Sequence, residues 1–177
     1  MTMQRAPING RSREVTSVRG YWRTGLAGVL AGAAFCTLSV VTFYILGVLP
    51  GLLFNPSLQS TKVIAVVQTL EPLPLMQRAP YIVFAFWTAT LVGYAYLFDH
   101  IKVLWPQRYW QRVFRLTLMI WFFSLFFFQF QGPLNLLAEP LPLFALELGF
   151  WAICALGASI IIVATTEGPT KAESARP

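Results

Sequence analysis

Residues 24–61 read TGLAGVLAGAAFCTLSVVTFYILGVLPGLLFNPSLQST and contain no Asp, Glu, Lys or Arg. Three further stretches share that property: Ala79 to Phe98, Leu116 to Ala138 and Leu148 to Thr166. About 20 helical residues, at roughly 1.5 Å each, cross a hydrocarbon core about 30 Å thick. Each stretch is long enough. The pattern predicts an all-α, polytopic integral membrane protein with four transmembrane helices, over 24–49, 80–98, 113–131 and 141–164.

Composition agrees. Of 177 residues, 56% are hydrophobic and only 11% charged, whereas soluble domains carry about a quarter charged residues. Little sequence remains outside the spans, so residues 1–177 read as a single membrane domain. The net charge of +6 could suggest nucleic acid, but that function gathers its basic residues on a water-facing surface. Here they flank apolar ends. Of the 13 basic residues, five precede span one, two lie between spans one and two, four lie between spans two and three or in the first turn of span three (Lys102, Arg108, Arg112 and Arg115), and two follow span four. An N-in, C-in threading therefore leaves eleven inside and two outside, as the positive-inside rule favours. The expected location is the inner membrane of a bacterium, with both termini cytoplasmic.

The run from Gly25 to Leu49 far exceeds the roughly 7–15 apolar residues of a cleavable signal, so it reads as an anchor. Residues 1–22 read as a mobile basic tail, and 165–177 as a second cytoplasmic tail. Residues 50–79 form an unusually apolar external connection. Asn55 and Pro56 can open a helix there and Pro72 and Pro74 close it, which fits a short interfacial segment; the β-branched run Val63 to Val67 would equally suit a strand.

Within span one, Gly25, Gly28 and Gly32 form a small-residue face that lets another helix approach closely, either from this chain or from a second subunit. In the cytoplasmic loop 99–112, Trp105, Tyr109 and Trp110 interleave with Arg108 and Arg112, as expected where indole, phenol and guanidinium meet lipid headgroups. Span three carries Phe all around its circumference, a surface for lipid, a hydrophobic pigment or another protein. Cys36 and Cys154 fall near mid-span and read as small packing residues.

Two places could hide chemistry. Glu147 lies about five residues inside span four, where a carboxylate is costly unless neutral, paired or wetted. Gln129, Gln131 and Asn135 near the end of span three, with Glu139, could join it in a polar or ion-conducting site. The plainer reading is a Glu bonded to those amides that holds spans three and four together. Asp99 and His100, beside Lys102 and near Arg108 and Arg112, could act on a lipid headgroup, although polar residues that finish a helix explain them more simply. One His and two separate Cys supply neither a typical zinc site nor bis-histidine haem, and no cofactor motif occurs.

The favoured expectation is thus a non-catalytic membrane subunit or assembly factor packed against a larger complex or a second copy, with membrane lipids around it. A proton or cation transporter component using Glu147 comes second, and a lipid-processing enzyme using Asp99 and His100 third.

Overall fold

The computed structural model describes residues 10–45, 49–106 and 108–167. Among them every regular element is helical, and four helices are long and apolar enough to cross a membrane: Gly20–Tyr44, Pro80–Leu104, Tyr109–Leu136 and Leu141–Glu167. Large side chains left outside the bundle include Phe86, Phe122, Phe123, Phe127 and Phe128, each more than half exposed. A continuous apolar surface of that kind belongs in lipid.

The helix of span one begins at Gly10, within the segment expected to be a mobile tail. Once a helix is nucleated, each further residue adds a hydrogen bond for little more than its own ordering, so winding propagates backwards from the apolar core. Span three runs past its expected end at residue 131 to Leu136, and the last turns, Phe130–Leu136, adopt wider π-type winding around Pro133. Proline lacks the amide proton and crowds the carbonyl four residues earlier, here that of Gln129, and looser winding relieves the clash.

Span one lies against spans two and four, while span three leans on span four. Glycine sets the first contact: a Cβ on Gly28 would stand 2.4 Å from the Val92 Cα, and one on Gly32 would stand 2.8 Å from the Thr88 Cα. The small-residue face is therefore occupied within the chain by span two. On the flank against span four, the Leu38 side chain fills the space over Gly157. Phe35, Leu91, Phe98, Leu116, Ile120, Cys154 and Ile162 are fully buried along the axis between the spans.

Polar ties close one end of the bundle. Arg23 Nε donates to the Thr165 carbonyl over 2.6 Å, joining spans one and four. Asp99 accepts from Lys102 Nζ at 2.5 Å and from Thr24 Oγ1 at 3.2 Å. Arg112 is turned inward, 7% exposed. Its guanidinium pairs with Glu167 and donates through Nε to the Pro106 carbonyl at 2.8 Å and through Nη2 to the Lys102 carbonyl at 3.3 Å.

At the opposite end, the connection between spans one and two folds over the bundle. Short helical turns at Leu49–Leu53, Thr61–Ile64, Ala65–Thr69 and Leu75–Arg78 replace the strand that Val63 to Val67 also permitted. Ser60 starts the second of these, its Oγ accepting from the Val63 amide at 3.2 Å. Leu53 is fully buried and packs with Phe43 and Leu143, so this segment is a seated cap.

Candidate functional site

Beneath the cap lies a cavity of about 280 Å³. Three spans each supply an i,i+4 pair, the spacing that puts two side chains on one helix face: Ser39 with Phe43, Val83 with Trp87, and Glu147 with Trp151. Tyr44, Phe84, Phe128, Gln129 and, from the cap, Met76 complete the wall. The indoles of Trp87 and Trp151 stack with centroids 5.9 Å apart, and Phe43 tilts against Trp151 at 5.0 Å. Tyr44, Phe84 and Phe128 stack on no other ring among the described residues, which leaves their faces uncovered by aromatic partners.

Apart from two hydroxyls and the indole N–H groups, this wall has one polar feature. Gln129, only 3% exposed, donates from Nε2 to Glu147 Oε2. The pair bridges spans three and four, an arrangement that satisfies a carboxylate with a neutral amide. Glu147 Oε1 accepts no hydrogen bond from a described residue.

The other expected members of this cluster lie elsewhere. Gln131 and Asn135 are exposed on the outer surface of the bundle. Glu139, at 4% exposure, is held above the cavity by the cap: Gln59 Nε2 donates to its Oε1 at 2.8 Å. Burial pushes this carboxyl above its ordinary value, and the Gln59 hydrogen bond opposes that push. Its Oε2 is buried and has no partner among the described residues. Next to it, Ser60 Oγ donates to the Leu137 carbonyl at 2.6 Å, and Ala138 takes a left-handed φ of 53° to turn the chain into span four.

At the other end, Asp99 and His100 do not face each other. His100 is exposed, with Nδ1 2.8 Å from the Tyr96 carbonyl, while Asp99 is held by Lys102 and Thr24. Base and orienter are therefore not assembled. Of the expected headgroup contacts, Arg108 and Trp110 face outward. Trp105 packs edge-on against Phe98, and Tyr109 donates to the Ile160 carbonyl at 3.4 Å. Arg112 departs from that expectation because Glu167 and two carbonyls offer its desolvated guanidinium better partners than a headgroup does. No group of three or more His, Cys, Asp and Glu that could hold a metal exists among the described residues.

Of the polar cluster expected from sequence, the structure brings Glu147 and Gln129 together; Phe43, Trp87, Trp151 and Gln59, which join this region, were not singled out there. The i,i+4 pairs were the available signal for the first three, although they show only when three spans are aligned. Compared with protein-family models, curated proteins and solved structures, the chain matches none.

Chemically, the cavity offers aromatic surface, two hydroxyls and the Glu147–Gln129 pair. Its lining of rings around one orienting polar pair is of the kind that holds a small molecule. Its volume equals roughly nine waters at about 30 Å³ each, or a small organic group.

Proposed function

We propose that this chain is a non-catalytic integral membrane protein that holds an amphiphilic small molecule in the cavity beneath its cap. Both termini and the Arg108 loop face the cytoplasm, where eleven of its basic residues then reside, and the cap faces the opposite side. The observation that supports this reading is an apolar, aromatic-walled cavity broken by a single carboxylate–amide pair. Sites for small molecules are commonly built this way, largely apolar with one or two orienting polar groups.

Val83 projects into the cavity, so Val83→Trp should fill it. Native mass spectrometry of protein released in mild detergent should find an amphiphile bound to the unaltered chain and missing from Val83→Trp protein that remains monodisperse. Equal occupancy in both would overturn the assignment.

A second reading, a subunit or assembly factor of a larger membrane complex, is favoured by the exposed Phe122, Phe123 and Phe127 of span three. The glycine face of span one is already filled by span two, so such a partner would meet span three. Proton or cation transport has less support: Phe35, Leu91, Ile120 and Cys154 are fully buried in one apolar cluster between the spans.

A further inference from the structure

We infer that the cavity takes an organic ammonium ion, a quaternary or protonated amine carrying an apolar body. This deepens the ligand-holding reading and rests on it. Three features of the wall converge on a positive head. Glu147 offers an oxygen that no described residue occupies, pointing from a helix face shared with Trp151. Tyr44, Phe84 and Phe128 line the same space with faces free of other rings, and a ring face attracts a cation through its quadrupole. The wall contains no Lys, Arg or His, while Glu139 lies close enough to Glu147 for the two charges to interact. The one formal charge on the wall itself is therefore negative.

The same absence of basic groups argues against a zwitterionic phospholipid. Its phosphate would enter the cavity beside the Glu147 carboxylate, with no basic group on the wall to meet it. A simple lipophilic amine carries no such burden. In surroundings this apolar, attraction between an ammonium and a carboxylate is far stronger than in water, whereas a neutral ligand of the same shape gains only contact with the rings.

The test compares benzyltrimethylammonium with neopentylbenzene, which replaces the charged nitrogen by carbon and keeps the shape. Each is titrated into the full chain in maltoside micelles, with tryptophan fluorescence as the readout. The cation should bind at least about tenfold more tightly than its isostere. Glu147→Gln should bring the two to parity. Should Glu147→Gln fail to fold, the unaltered chain still decides the matter through pH, because a proton and an ammonium compete for one carboxylate. The titratable groups around that position are Glu147 itself, Glu139 above it and Tyr44 across the cavity. Cation affinity should rise with pH while isostere affinity stays flat.

Equal affinity for the two probes, or a preference that survives Glu147→Gln, would overturn the cation assignment and leave the ligand-holding reading standing. If neither probe binds, both readings fail.

Discussion

Gly28→Ala adds one methyl group where span one meets the backbone of span two, and its cost follows from the geometry. The new Cβ would stand 2.4 Å from the Val92 Cα, 2.9 Å from its Cγ2 and 3.0 Å from its amide nitrogen. Two of those three atoms are backbone, so no rotamer change clears them. Carbon atoms rest at roughly 3.5–4.0 Å, and spans one and two must therefore separate by about 1 Å, which forfeits between a quarter and a half of the dispersion energy at each contact opened. Between helices in lipid this packing is the main adhesive, since lipid tails are as apolar as the side chains they would replace. Overpacking of this kind costs about 1–3 kcal/mol, partly offset by the roughly 1 kcal/mol that Ala gains over Gly in a helix.

Gly93→Ala and Gly149→Ala isolate that offset, because a Cβ at either position meets nothing within 4 Å. They should be neutral or slightly stabilising. Unfolding by sodium dodecyl sulfate titrated into maltoside micelles, followed by tryptophan fluorescence, measures all three variants. If Gly28→Ala lies within about 0.5 kcal/mol of Gly149→Ala, the account of the span one–span two contact is wrong.

Two further predictions concern the ends of the bundle. Glu167→Ala leaves the Arg112 guanidinium buried without its counter-charge and should destabilise the fold by about 3 kcal/mol, while the double change Arg112→Met, Glu167→Leu should recover most of the loss; the same titration reads both, and a fully additive double variant would contradict it. Glu139, raised by burial above its ordinary 4.5, binds its proton more tightly in the folded protein than in the unfolded chain. Its contribution to stability is thus complete below that ordinary value and is lost as pH rises through the folded one. Amide protection factors over residues 60–69, with the intrinsic pH dependence of exchange divided out, should fall from acid to neutral pH and lose that dependence in Glu139→Gln; protection in the unaltered protein that does not change with pH would refute the linkage.

Much of the helical plan was legible because charges are costly in lipid and therefore mark where apolar stretches stop: Arg78 precedes span two, whose helix continues a turn past Asp99, and Glu167 ends span four. Which spans touch was far less visible. In water an apolar stripe announces the buried face, but in lipid both faces are apolar, and Phe123 and Leu125 look alike in sequence although one is exposed and the other buried. Gly28 and Gly32 announced a close approach without naming Val92 and Thr88 as its targets. Arg112 read as a headgroup ligand because the ion pair depends on Glu167, 55 positions away. The cap was the least legible element: Gln59 and Ser60 are ordinary loop residues until the turn at Leu137 to Glu139 comes within reach.

The position of span one has a consequence for biogenesis. Span one has two large neighbours, and one of them, Leu141–Glu167, is made about a hundred residues later. At roughly 5–20 residues per second, its second flank waits several seconds for company, exposed to lipid or to whatever insertase attends the nascent chain. Truncation before span four would strand that flank permanently, giving quality-control proteases a feature by which to tell an unfinished chain from a finished one.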